Sequence, residues 1–197
     1  MRELIDFRTT YGELMEAWGR LESALFYWFM WTTGLDERMA RAVYYSSRSF
    51  AGRRNMLKEA LLLSKLDAPT RAFVEAALNK ASLYSEFRNR ATHGEPVWSE
   101  NLSQYVLSDA SWKRGGPGTD TVTIPQMRAA TENVNALRTM LWDLPRPLYR
   151  VEPDGLRAAS PQAYLERIRA LPNRASESRT SARTPPNENR PPRKPRG

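Results

Sequence analysis

Apolar residues recur at three- and four-residue steps along most of this chain, and the recurrences stop at prolines, glycines and short polar runs. Tyr11, Leu14, Met15, Trp18, Leu25, Phe26 and Phe29 share one face of a helix expected over residues 10–33 and closed by Gly34. A second helical stretch covers residues 36–65, with a break near Ser46-Ser47 and with Phe50, Leu57 and Leu61 on one side of its later half. Asp67-Ala68-Pro69 reads as the cap and first turn of a third helix, along which Val74, Ala77, Leu78, Ala81 and Tyr84 recur. Gly94 and Pro96 punctuate its end. Between residues 97 and 125 the period changes. Gln104-Tyr105-Val106-Leu107 and residues 119–124 read as two short strands around Arg114-Gly115-Gly116-Pro117-Gly118, a β-hairpin. A fourth helix starts near Pro125, carries Met127, Ala130, Val134, Leu137 and Leu141 on one face, and ends at Pro145 and Pro147. Ser160-Pro161 caps one further short helix with Tyr164, Leu165, Ile168 and Leu171. The pattern predicts an all-α bundle of four to five helices with a small β-hairpin between helices three and four. Residues 1–150 make the helical domain, and 151–171 a linker with a short C-terminal helix.

Residues 172–197 break the pattern altogether. They hold seven basic and two acidic residues, paired prolines, and almost nothing apolar. Such a segment cannot bury enough surface to offset its ordering entropy, so a disordered basic tail is expected. It carries +5 of the chain's net +8. A basic tail often touches nucleic acid, and it reads equally well as a solubilising extension.

Composition removes several chemistries. With no cysteine and a single histidine, the chain has no thiolate nucleophile and poor material for a transition-metal site; no metal or cofactor is expected. The longest strongly apolar run, residues 24–31, falls far short of a membrane span. Glu3 and Asp6 near the N-terminus do not fit a signal peptide, so a cytoplasmic protein without a membrane partner is expected. Trp28, Trp31, Trp98 and Trp112 can stack on bases, but at their spacings core or interface positions are the better reading.

The one histidine, His93, closes the segment Arg88-Asn89-Arg90-Ala91-Thr92-His93-Gly94. Here the apolar stripe of helix three gives way to Ser85, Arg88, Asn89 and Thr92. Histidine both takes and gives a proton near neutral pH. Arginine offers a fixed fork of donors to phosphate oxygens, and asparagine adds a neutral donor and acceptor. Asn89 and His93 are i, i+4 neighbours on a helix, as are Arg88 and Thr92. On helix one, Glu22 sits in the middle of the apolar stripe, and a buried carboxylate needs a cation. Arg88, Arg53 and Arg54 are its candidate partners. Either a structural ion pair or a support for a phosphate-binding arginine results, and the two are compatible.

The Arg-Asn-x3-His arrangement resembles the Arg-x4–6-His motif of the HEPN superfamily, and the resemblance covers roughly residues 10–145. It implies a HEPN-like bundle acting as a metal-independent endoribonuclease with RNA as substrate. His93 would then be acid/base, Arg88 the phosphate clamp and Asn89 an orienting donor, supported by Glu22, Thr92 and Arg53. Cleavage by internal transphosphorylation needs a base for the 2′-hydroxyl and an acid for the departing 5′-oxygen. One histidine per chain cannot supply both, which points to a composite site in a homodimer. Toxin or antiphage roles, with an antitoxin or other regulatory protein as partner, rest on the resemblance alone. HEPN toxins silenced by nucleotidyltransferase partners carry a tyrosine two residues past the motif histidine; here that position is Glu95. The competing readings are a non-catalytic HEPN-like nucleotide- or RNA-binding module and a purely structural helical protein.

Overall fold

The computed structural model describes residues 1–109, 121–144 and 160–177. Among these the chain forms six α-helices and one antiparallel pair of strands. Helix α1 (Arg2–Thr33) starts earlier than the expected residue 10, because Phe7 and Thr10 prolong its buried stripe. Phe7 meets the ring of Tyr105 with centroids 6.0 Å apart. At the other end Gly34 takes the left-handed conformation (φ 70°) and its N–H donates to the Met30 carbonyl, as the sequence predicts.

The expected break in the second helical stretch falls at residues 45–49. It separates α2 (Glu37–Tyr44), capped by Asp36, from α3 (Phe50–Leu63), capped by Ser49, whose hydroxyl accepts from the Gly52 N–H. Helix α4 (Ala68–His93) is capped by Asp67, with Pro69 in its first turn, and buries Phe73, Val74, Ala77, Leu78, Ala81, Tyr84, Phe87 and Ala91. Gly94 ends it differently from expectation. Its φ of −77° is extended, not left-handed. The requirement there is space, since a Cβ on Gly94 would lie 2.8 Å from the Leu107 Cβ.

The hairpin also departs from expectation. Its strands are β1 (Gly94–Ser99) and β2 (Gln104–Asp109), joined by a 3-10 turn at Glu100–Leu102, with Trp98 opposite Tyr105 and Pro96 opposite Leu107. Residues 104–107 are a strand as predicted. Their partner is the segment just after α4, and the predicted second strand contributes one bridge, Leu107 with Val122. The Arg114–Gly118 turn and Trp112 lie outside the described residues.

Helix α5 (Ile124–Asp143) opens with a capping box between Thr123 and Gln126 and buries Met127, Ala130, Val134, Leu137 and Leu141. It lies along α1, where the buried Trp28 indole N–H donates to the Leu141 carbonyl at 3.0 Å. Trp31 is likewise buried, so both tryptophans are core residues. Helix α6 (Pro161–Arg169), capped by Ser160, packs on α4 through Tyr164, Leu165 and Ile168.

The expected tail boundary at Pro172 is too early. Residues 171–177 form a strap over α4 and α5. The Lys80 ammonium donates to the carbonyls of Leu171 (2.9 Å) and Pro172 (3.4 Å) and to Asn173 Oδ1 (3.0 Å). Tyr84 donates to the Pro172 carbonyl, and the Asn133 amide to those of Ala175 and Glu177, both at 2.8 Å. Burial pulls the Lys80 pKa below the ordinary lysine range, while the three oxygens around it satisfy its donors. Pro145, Pro147 and residues 178–197 lie outside the described residues. No helix among the described residues is long and apolar enough to cross a membrane.

Candidate functional site

The polar residues that interrupt the apolar stripes meet where α1, α3 and the last turns of α4 come together. Glu22 is the centre. Its Oε1 accepts from Arg53 Nη2 at 2.6 Å and lies 3.8 Å from Arg88 Nη2. Arg54, the remaining candidate partner, turns away and donates to Ser82 on α4 at 2.6 Å. The side chains of Arg53, Glu22 and Arg88 are 11%, 18% and 23% exposed, so this is a sheltered notch with an opening at Arg88.

Local geometry explains why Arg53 is the tighter partner. Gly52 lies so close to Ser47 that a Cβ there would fall 2.0 Å from the Ser47 hydroxyl. That approach folds the 45–49 break over α3, and the Ser47 carbonyl accepts a second bond from Arg53 Nη1 at 3.0 Å. Arg53 is thus held from two sides. Arg88 is held less tightly. Its guanidinium lies over the Trp18 ring, 5.1 Å from the centroid, and Nη1 donates to Asn89 Oδ1 at 3.0 Å. Its Nε is buried with no acceptor.

Thr92, one turn beyond Arg88, spends its hydroxyl on the Arg88 carbonyl at 2.8 Å. Glu22, Arg53, Arg88, Asn89 and Thr92 therefore form one linked group. His93 is exposed and makes no hydrogen bond or ion pair to any of them. Five residues carry it about 140° around α4 from Arg88. Within one chain, Arg88 reaches inward over α1 while His93 stands at the edge of the helix end.

Two contributors escaped sequence reading. Trp18 was legible only as core, yet it lies one turn before Glu22 and forms the floor under Arg88. Its i, i+4 spacing to Glu22 was the available signal. The Ser47 carbonyl is a backbone group in a break between helices, for which no side-chain pattern exists. The notch has a plain electrostatic consequence: one carboxylate faces two guanidiniums, so a positive charge is left over at Arg88. Among the described residues no three histidine, aspartate or glutamate side chains cluster as metal ligands. The chain matches no family model, no curated protein and no solved structure.

Proposed function

We propose that the chain is a metal-independent endoribonuclease of HEPN type, cutting RNA by transphosphorylation at a site shared by two copies of itself. The observation that carries this reading is the unspent donor capacity of Arg88. Of its five N–H donors one is used by Asn89, Glu22 is 3.8 Å away, and the charge is not neutralised. A guanidinium braced on a tryptophan face, beside an asparagine and at the mouth of a notch, is placed to take a phosphate.

In this reaction the 2′-oxygen attacks phosphorus and the P–O5′ bond breaks. The 2′-hydroxyl proton passes to a base, the 5′-oxygen receives one from an acid, and a 2′,3′-cyclic phosphate remains. Arg88 offsets the charge that builds on the phosphorane oxygens. Asn89 orients, and Glu22 with Arg53 fixes the position of Arg88. His93 of each copy supplies one of the two proton transfers. A toxin or antiphage setting rests on the family resemblance alone.

The test is cleavage of single-stranded RNA in EDTA, with products ending in 2′,3′-cyclic or 3′-phosphate. His93→Ala should slow it about 10²-fold or more. Equal rates in both proteins would overturn the assignment. One observation favours a second reading, a non-catalytic RNA-binding module: among the described residues His93 has no hydrogen-bond or ion-pair partner to orient its imidazole. RNA binding that needs Arg88, without cleavage of any RNA, would decide for that reading.

A further inference from the structure

Arg53 and Arg54 are neighbours on α3 with opposite surroundings. Arg53 is buried and faces Glu22 at 2.6 Å. Arg54 is half-buried and meets neutral oxygens only. Its Nη1 donates to the Ser82 hydroxyl of α4 at 2.6 Å, and Nε and Nη2 both donate to Asn55 Oδ1 at 3.4 and 3.2 Å. Among the described residues no carboxylate forms an ion pair with it. Three of its five N–H donors are engaged, so two donors and the whole charge remain for a ligand. The Ser82 bond meanwhile holds the guanidinium in place, which lowers the ordering cost of binding.

Position matters as much as charge. Ser82 and Asn89 are seven residues apart on α4, which puts them within about 20° of one line along its surface and about 10 Å apart. Arg54 is anchored at the first, and Arg88, through Nη1, at the second. Two guanidiniums with spare donors thus stand in file along one face of α4. Glu86 lies between their anchors, exposed, and forms an ion pair with neither. A single phosphate cannot reach both anchors. Phosphates of one strand can, since about 10 Å corresponds to about three nucleotides stacked at ~3.4 Å each, and to fewer when the strand is extended. We infer that Arg54 is a second phosphate-binding residue, holding the backbone of single-stranded RNA a few nucleotides from the phosphate that Arg88 takes. This role rests on the assignment of Arg88 to phosphate, and it makes the ligand a strand instead of a mononucleotide. The phosphate at Arg54 does not react, so Arg54 holds and registers the strand whether or not the chain cuts it.

The test is binding of a short, dye-labelled single strand of 2′-O-methyl RNA, which internal attack cannot cut. Fluorescence anisotropy follows it in EDTA as salt is varied. Loss of one charge-assisted contact should raise the Kd of Arg54→Gln about tenfold. Each phosphate contact adds about 0.7 to the slope of log affinity against log salt. The slope should therefore fall by about 0.7 in Arg54→Gln, by as much in Arg88→Ala, and by about 1.4 in the double variant. Arg54→Lys should keep the wild-type slope, because it keeps the charge and loses only the fork. An unchanged slope in Arg54→Gln would overturn the role of Arg54, and Arg88→Ala in the same titration then shows whether the Arg88 assignment stands without it. A slope lost equally in Arg54→Lys and Arg54→Gln would also overturn it, as damage to the packing of α3 on α4. A wild-type chain that binds no strand would overturn the RNA reading itself, and this role with it.

Discussion

Glu22 has one negative charge to divide between two arginines, and the distances show how it is divided. Arg53 takes it at 2.6 Å and adds a backbone carbonyl; Arg88 stands at 3.8 Å. Removing a sheltered carboxylate leaves its cations unpaired, which costs more than the pair contributed. Glu22→Gln should therefore lower stability by about 2–3 kcal/mol in urea denaturation. Arg88→Ala gives up a long contact and a ring face and should cost about 1 kcal/mol. That order matters for function, because a residue fixed for folding spends its donors inside the protein and one kept for a ligand does not. If Arg88→Ala proves as destabilising as Glu22→Gln, Arg88 is a structural residue and the phosphate clamp must be sought elsewhere.

Helices that signal their own ends were legible. Asp36, Ser49, Asp67, Thr123 and Ser160 all cap through their side chains, so five of the six helices among the described residues open on a capping residue. The hairpin was only half legible. Its register depends on β1 emerging straight from α4 and on Gly94 admitting Leu107, a tertiary approach that local turn chemistry does not encode. Gly94→Ala should push the strand off α4 and cost about 1–3 kcal/mol, the scale of overpacking a tight contact. An unchanged melting temperature would show that the hairpin shifts freely. The strap was illegible because all but one of its acceptors, Asn173 Oδ1, are backbone carbonyls, which any sequence supplies, while Lys80 and Asn133 look like surface residues in the pattern. The site shows the same division. Arg88, Asn89 and Glu22 stood out as polar residues on apolar stripes, but the Trp18 floor read as core. Truncation separates the contribution of the strap from that of residues 178–197. A chain ending at Glu177 should keep its melting temperature, whereas one ending at Ala170 strands the Lys80 ammonium and should lose about 2–3 kcal/mol. Equal stability of the two truncations would mean that the strap contributes nothing.

At the scale of the whole molecule, the positions of Arg88 and His93 raise a problem that a second copy solves. The first reaches inward over Trp18 and the second stands exposed about 140° away around the same helix. A phosphate held by Arg88 does not thereby meet His93 of the same chain. Two copies related by a two-fold axis through the end of α4 would place two histidines and two arginines on one crevice. Sedimentation at micromolar concentration should then find a dimer, and a stable one should bury more than about 1,000 Å². The sharper measurement is subunit mixing. If one crevice needs both His93 side chains, one as base and one as acid, a heterodimer of wild type and His93→Ala keeps only one of them and should cut poorly. Re-annealing equal amounts of the two proteins leaves about a quarter of the dimers with both histidines, so cleavage per total protein should fall to about a quarter of the wild-type value. Had each chain cut RNA with its own His93 alone, the same mixture would keep about half. A fall to one half, from a protein confirmed as a dimer, would return the chemistry to a single chain and require α4 to reorganise on binding RNA.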